Sequence, residues 1–481
     1  MRFNLDFSIY SVLLEKAGVV PDEDFPETGN LLYKDTISAQ DRSRIRFVLG
    51  NRVNFVQGEE LYIKRMQQYW RDLLSPEFSD AGTDETDQED QLRDMASEAP
   101  IITLVNNIIE QAIGLGASDI HFEPGEKALR VRCRVDGVLV NISELPSTAR
   151  AAVSSRLKLM AQLDIGEKRL PQDGRIKFTG KNKIVDLRVS TLPGAHGESI
   201  VLRILDRSDV LVDLDNLGMP DDVLANYEAV IQSPHGMILV TGPTGSGKTT
   251  TLYATLDKIY SDKVKIVTVE DPVEYEFPGI TQVQVKPQIG LSFAAGLRSI
   301  VRQDPDIILI GEIRDQETAD IAIESSLTGH LVFSTLHTND AAGAITRLQD
   351  MGIESYLISS SLLAVLAQRL IRKTCSHCAV LQKMTAREKE LLGLEVESDI
   401  DFYRGEGCEH CAKTGYRGRI GIYELLMIDD TIRKLIMEGA NANDIFREGI
   451  RQGMRTLRQD ALLKLRQGVT TPEEILRVSR N

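Results

Sequence analysis

Residues 236–249 run from a short apolar segment, Gly-Met-Ile-Leu-Val-Thr, straight into the glycine-rich loop Gly-Pro-Thr-Gly-Ser-Gly-Lys-Thr. A strand that feeds such a loop makes a phosphate cradle. Gly242, Gly245 and Gly247 let the backbone close on an anion and turn its N–H groups inward, with Pro243, Thr244 and Ser246 completing the loop. Lys248 brings a point charge to β- and γ-phosphates, and Thr249 offers a hydroxyl to Mg²⁺. The helix expected over Thr249–Ile259 begins there, so its positive dipole end adds to the same anion site.

Other groups suit the same chemistry. A buried-type strand at 266–269 runs into Glu270, Asp271 and Glu274, and a second at 307–310 ends in Gly311-Glu312. Carboxylates at the C-terminal edge of an open α/β sheet lie where ligands bind, and in a phosphate site they hold Mg²⁺ through water or polarise the attacking water. Gly311 precedes Glu312 where an aspartate is usual, which leaves the role of that position in metal binding open. His330 and His337 stand near the two ends of a third strand read over 328–338; a histidine at a strand end either senses a γ-phosphate or caps the strand. Arg298, Arg302 and Arg314 surround these segments, and because phosphoryl transfer is mostly charge stabilisation, arginines are expected partners across a subunit boundary.

Cys375-Ser-His-Cys378 and Cys408-Glu-His-Cys411 are two tight pairs with 29 residues between them. Four thiolates in two knuckles suit a closed tetrahedral Zn²⁺ site, and two matched pairs tell against a redox dithiol. His377 and His410 lie inside the knuckles, where either could replace a cysteine as ligand. The fifth cysteine, Cys133, falls on the apolar side of an alternating stretch and is assigned to the core.

The scaffold these groups need is a doubly layered α/β domain, and the 481 residues leave room for about two more domains. Residues 1–75 carry scattered helical periodicity, including Glu59–Leu74, and are read as a small helical docking domain. Residues 76–99 concentrate acid, with nine Asp and Glu against Arg93 alone between 77 and 98, and are read as a flexible linker. From 100 to about 210 an α+β lobe is expected. It has helical spacing at Ile101, Leu104, Val105, Ile108, Ala112 and Ile113, strict alternation from Leu129 to Val135 closed by Asp136-Gly137, a turn at Pro171–Arg175, and strands at 186–190 and 201–205. Arg130, Arg132 and Arg134 share one face of the alternating strand, while Arg188 and Arg203 each sit among apolar neighbours and so require an anionic partner. The nucleotide domain is placed at 217–372, the cysteine module at 373–415, and a helical region at 416–481 that includes an N-cap, proline and capping glutamate at Thr471–Glu474. Net charge is −15, which disfavours a nucleic-acid translocase. With no long apolar run and no basic leader, a cytoplasmic location is expected.

From about Ala99 onward the motifs resemble the secretion ATPase superfamily, most closely the E component of bacterial type II secretion systems. The likeness rests on PQDGR at 171–175, GPTGSGKT at 242–249, VEDPVEY at 269–275, RQDPDIILIGEIRD at 302–315, TGHLVFSTLHTND at 328–340, the cysteine pairs, and GYRGRIGIYELL at 415–426. It implies an ATP-hydrolysing homohexamer of two-lobed protomers, a PAS-like lobe followed by a RecA-like P-loop motor with a tetracysteine zinc insert, that drives pseudopilus assembly and protein export. By that likeness Glu270, Asp271 and Glu274 form an aspartate box, Glu312 is the Walker B glutamate, and His330 and His337 belong to a histidine box. Arg188, Arg203, Arg298, Arg302, Arg314 and Arg419 match arginines that contact phosphate or adjoin the subunit interface. The implied partners are inner-membrane platform proteins, the cytoplasmic domain of the L component and the polytopic F component, reached through residues 1–75, so that membrane association is peripheral and indirect. Type IV pilus assembly ATPases share every box and are the near alternative. A nucleic-acid motor and a nucleotide-gated scaffold without turnover stand further off.

Overall fold

The computed structural model describes residues 99–180, 183–205, 213–395 and 400–479, with short stretches between 19 and 66. It divides into two units, 1–207 and 208–481.

In the first unit, β1 (Val19–Pro21), β2 (Asn30–Tyr33) and β3 (Asn54–Gln57) form a small sheet. The helical reading of 1–75 is corrected here, because among the described residues this module is a sheet with helical residues such as Ile63 and Met66 beside it. Val20, Leu32, Ile63 and Met66 share one apolar cluster. Strands of three or four residues are too short for alternation to register, so only the helical periodicity was visible. The acidic linker read at 76–99 lies outside the described residues except for its last one.

Helix α1 (Ala99–Gly114) buries Ile101, Leu104, Val105, Ile108 and Ala112 as their 3.6-residue spacing predicts, and Ile109 with them, while Ile113 is only half-buried. Strands β4 (Ala117–Pro124), β5 (Ala128–Val135) and β6 (Val138–Pro146) follow, then α2 (Ala149–Met160), β7 (Gln172–Thr179), β8 (Ile184–Gly194) and β9 (Gly197–Leu205). The six strands pair antiparallel in the order β6-β5-β4-β9-β8-β7. Both helices share a core with the sheet, Leu104 and Ile108 from α1 and Val153 and Leu157 from α2 joining Ile120, Phe122, Val131, Cys133 and Leu202. Asp136 and Gly137 both have positive φ, 49° and 83°, as a two-residue hairpin turn requires. The turn read at Pro171–Arg175 is corrected: Gln172–Arg175 opens strand β7. Gly174 serves close approach rather than turning, since a Cβ there would stand 2.8 Å from Ala161 O and 2.9 Å from Leu163 Cδ2.

The second unit is built on a seven-stranded sheet. In chain order its described elements are α3 (Asp221–Val230), β10 (Gly236–Thr241), α4 (Lys248–Ile259), β11 (Ile266–Glu270), β12 (Thr281–Gln284), α5 (Phe293–Ile300), β13 (Ile307–Ile310), α6 (Gln316–Leu327), β14 (Leu331–Leu336), α7 (Ala341–Asp350), α8 (Ser355–Ser361) and β15 (Leu362–Thr374). Then come β16 (Ala379–Lys383), α9 (Ala386–Leu391), β17 (Asp401–Gly405), β18 (Tyr416–Met427) and helices α10 (Asp430–Met437), α11 (Ala442–Arg451), α12 (Leu457–Arg466) and α13 (Pro472–Ser479). Sheet order is β12-β11-β13-β14-β10-β15-β18, parallel except for β18. Every residue of β10, β11, β13 and β14 is buried, as in strands covered on both faces by helices.

Two readings of the C-terminal part change. Tyr416–Met427 is a 12-residue strand, not the start of a helical region, and pairs antiparallel with β15 from Ala364↔Met427 to Thr374↔Tyr416. The seven-stranded sheet therefore extends past residue 372. In β18 the glycines Gly418 and Gly421, and Glu424, interrupt the apolar residues Ile420, Ile422, Leu425 and Leu426 that mark it as a strand. Glu474 does not spend its carboxylate on capping α13; the carboxylate accepts from Arg372 N at 2.9 Å, Arg372 Nη2 at 2.6 Å and Arg477 Nε and Nη2 at 2.8 Å each.

Candidate nucleotide site and metal centre

Because β10, β11, β13 and β14 run parallel, their C-terminal ends bring four motifs to one edge of the sheet: the P-loop, the carboxylates after 269, Glu312 and His337. Gly242, Gly245 and Gly247 hold φ of 150°, 76° and 90°. Gly242 has no room for a Cβ, which would meet Gln368 O at 2.3 Å. Pro243, Thr244, Gly245 and Thr249 are exposed, while Ser246 Oγ is buried without a hydrogen-bond partner. Lys248 Nζ donates to the loop's own carbonyls, Gly242 O at 2.7 Å and Pro243 O at 3.2 Å. Burial pulls its ammonium down to about 8, with the charge of Glu312 opposing. An orphaned hydroxyl, glycines at positive φ and a lysine satisfied only by carbonyls fit a phosphate chain.

Glu312 is the best-defined carboxylate. Arg314 Nη2 stands 2.5 Å from Oε1, and His337 Nε2 stands 3.4 Å from Oε2. Burial pushes its carboxyl upward, but the hydrogen bond and charge of Arg314 and the contact with His337 outweigh this and hold it below the usual range. It is therefore ionised at neutral pH. Asp271 is exposed and adds its charge to the field that raises Arg314, after the Glu312 hydrogen bond.

Glu270 is placed differently from its neighbours. It is 4% exposed and accepts from Tyr253 Oη at 2.5 Å, Thr268 Oγ1 at 2.5 Å and Gln282 Nε2 at 3.3 Å. Three protein donors leave it an anchor for the segment after β11. Glu274 lies beside the Tyr253 and Tyr275 rings, whose centroids are 4.1 Å apart, and its charge helps raise both phenols after burial and Glu270.

The structure does not bring His330 to this edge. His330 precedes β14 and His337 follows it, so the strand separates them by roughly 20 Å. His330 Nδ1 instead meets Ser325 O at 2.8 Å, the cap reading of that residue. Arg298 and Arg302 are exposed on α5 and the turn after it, Arg298 paired with Glu317. In the first unit, Arg188 and Arg203 are cross-strand neighbours in β8 and β9. Arg203 Nε meets Asp119 Oδ1 at 3.0 Å, but the Arg203 side chain is 61% exposed, so burial is not what calls for that partner; Arg132 forms a two-pronged pair with Glu123 at 2.6 and 2.8 Å.

Sequence reasoning missed Gln368 and the Thr241–Thr338 pair. Gln368 Oε1 accepts from Thr251 Oγ1 at 2.8 Å, and its Nε2 packs where a Cβ on Gly247 would stand. Thr241 and Thr338 hydroxyls are 2.7 Å apart and tie the strand before the P-loop to the turn after β14. A polar residue closing the apolar run Leu362–Ala367 was the available signal for Gln368.

The four cysteines converge. Sγ atoms of Cys375, Cys378, Cys408 and Cys411 all lie within 4.8 Å of one another, with pairs at 3.7 to 3.9 Å. Thiolates about 2.3 Å from one tetrahedral centre stand roughly 3.8 Å apart, so the donor set fits Zn²⁺. Amides of Cys408 and Gly415 point at Cys411 Sγ at 3.1 and 3.3 Å. His377 and His410 stack with centroids 4.2 Å apart, side by side outside the sulfur cluster.

Residues 94–477 match the family model described as Type II/IV secretion system protein. Type II secretion system protein E of Xanthomonas campestris pv. campestris is 53% identical over 408 residues, 84% of this chain and 72% of that protein. Type II secretion system ATPase E of Vibrio cholerae serotype O1 is 48% identical, covering 88% and 86%. The type IV pilus assembly ATPase PilB of Myxococcus xanthus is 46% identical, covering 90% and 79%. Among solved structures, the pilus retraction motor PilT with bound ADP superposes at TM-score 0.53 with 30% identity, covering 78% of this chain and 97% of that one. DotB of Legionella pneumophila shares the fold at TM-score 0.58 and 24% identity, covering 77% and 94%. With its boxes gathered at one sheet edge and a match spanning both units, the chain belongs to the type II/IV secretion system protein family.

Proposed function

We propose that the chain is an ATP hydrolase that powers pseudopilus assembly in a type II secretion system. The observation that carries the reading is the clamp on Glu312, an ionised carboxylate held by Arg314 and His337 at the same sheet edge as a P-loop with an orphaned hydroxyl. In this reading the amides of Gly242–Thr249 and Lys248 hold the phosphates, Glu312 takes the proton of the attacking water, and His337 and Arg314 fix the carboxylate in place. Glu274 and Asp271 line the same edge, and Thr249 with the edge carboxylates would hold Mg²⁺, which when bound neutralises charge on the β- and γ-oxygens. Glu270 supports the site from behind. Arg188, Arg203, Arg298 and Arg302 are proposed as phosphate or subunit-contact groups, and His330 as a structural cap. Cys375, Cys378, Cys408 and Cys411 would hold a structural Zn²⁺.

The chain would work as a homohexamer at the cytoplasmic face of the inner membrane, bound through residues 1–75 to platform proteins. No helix among the described residues is long and apolar enough to cross a membrane. The likeness to PilB supports pilus assembly as a second reading. Complementation separates the two: expression in a secretion-deficient E mutant restores export in the first reading, and expression in a PilB mutant restores pili in the second. Failure in the E mutant with success in the PilB mutant would reverse the assignment.

A further inference from the structure

Glu424 belongs to the stretch Gly-Tyr-Arg-Gly-Arg-Ile-Gly-Ile-Tyr-Glu-Leu-Leu, yet it has no part in the site described so far. It lies on β18 opposite Ala367 and is 2% exposed. One carboxylate oxygen accepts Ala341 N–H at 2.9 Å and the other accepts Leu457 N–H at 3.4 Å. Those are the first residues of α7 and α12, so a single carboxylate takes one free N-terminal amide from each helix. Asp340 and Thr456 already cap the two helices with their own side chains. What Glu424 adds is a tie between them.

The tie matters because of what leads into α7. His337, whose Nε2 faces Glu312, is followed by Thr338, Asn339 and Asp340, and then by Ala341. Thr338 N donates to Thr241 Oγ1 at 2.9 Å, one residue before the P-loop, and Asn339 Oδ1 accepts from Arg369 Nη2 at 3.1 Å. The turn is thus pinned to the P-loop strand at one end and, through Ala341, to Glu424 at the other. Burial is also costly to a carboxylate at this place: it pushes the group up to about 7, with Asp340 adding to the rise and the Ala341 amide, the Leu457 amide and Arg369 opposing it. An apolar side chain would avoid that cost but would leave two amides without an acceptor.

We propose that Glu424 is a positioning residue for ATP turnover, which ties the first amides of α7 and α12 together across β18 and so holds the 337–340 turn where His337 meets Glu312. The proposal rests on the reading of the site as an ATP hydrolase. It also makes the C-terminal helices able to act on the catalytic turn through one side chain.

The test is steady-state ATP hydrolysis by the full chain as wild type, Glu424→Gln and Glu424→Met, with kcat expressed per nucleotide site counted by titration with a fluorescent ADP analogue. Methionine matches the length of glutamate and accepts neither amide; glutamine keeps one acceptor. A displaced turn harms the chemical step and spares phosphate binding, so Glu424→Met should lower kcat per site about 10–100-fold with KM for ATP within about twofold, and Glu424→Gln should recover part of the loss. A role confined to stability would lower the number of sites and leave the rate per site alone. Wild-type kcat per site in Glu424→Met overturns the proposal, as does an equal loss in both variants. Should Glu424→Met leave no countable sites, Glu424→Gln decides alone: a fall of about threefold or more in kcat per site upholds the proposal and an unchanged value overturns it. Lys248→Ala is the control, for hydrolysis that survives it does not come from this site and removes the hydrolase reading together with the proposal.

Discussion

In the proposed reaction Glu312 and Lys248 divide the work, one as an ionised carboxylate fixed by Arg314 and His337, the other as a buried ammonium held by loop carbonyls. Lys248→Ala removes the only charge set inside the P-loop, and ATP turnover should fall at least ~100-fold in a phosphate-release assay, with nucleotide affinity falling too. Wild-type turnover in that variant would exclude the P-loop as the active site. The P-loop, Glu312 and the four cysteines were legible because their chemistry demands fixed residue types at fixed spacing along a short stretch. Glu270 and His330 were misplaced for a reason the chain alone hides: a strand end can face the ligand edge or its opposite, and a carboxylate there can face water or three buried donors. Gln368 was invisible because its role depends on β15 lying beside β10, a pairing between residues more than a hundred apart.

At the scale of elements, two buried carboxylates set opposite pH dependences. Glu474 ties β15 to α13 through Arg372 and Arg477; burial would raise its carboxyl, but the hydrogen bonds of Arg477 and Arg372 hold it down to about 2. Its contribution is present above the unfolded value of about 4.3 and is lost as pH falls from there toward 2. Glu424, raised by burial to about 7, acts the other way: its contribution is present below about 4.3 and is lost as pH rises to about 7. Thermal unfolding as a function of pH should show Glu474→Gln less stable at pH 7 by about 3 kcal/mol, with a flatter acid limb, while Glu424→Gln flattens the slope between about pH 4 and 7. Parallel shifts of both variants at every pH would contradict these assignments. The cysteine module should hold one zinc per chain, and Cys375→Ser or Cys411→Ser should raise amide exchange between 374 and 415 more than it weakens ATP binding; metal analysis that finds no zinc in protein purified without chelators would overturn the site. Strand β18 escaped the sequence reading because glycines interrupt its apolar run, and its antiparallel place beside β15 is set by the sheet rather than by local propensity.

For the whole molecule, the sequence of residues 1–75 holds no nucleotide-binding motif, so removing them should leave basal ATP hydrolysis within about twofold while releasing the protein from membranes and blocking export in cells. Continued export by the truncated chain would refute membrane attachment through that module. In the proposed hexamer a neighbour's arginines would complete the site, so the rate per chain should rise with protein concentration as subunits assemble. The most direct test of the account is therefore steady-state ATP hydrolysis by wild type and Glu312→Gln across a range of protein concentrations, with nucleotide binding measured in the same samples. The account predicts a wild-type rate per chain that climbs with concentration, and a Glu312→Gln rate at least ~100-fold lower throughout while ATP still binds. Equal turnover by the two proteins would contradict it.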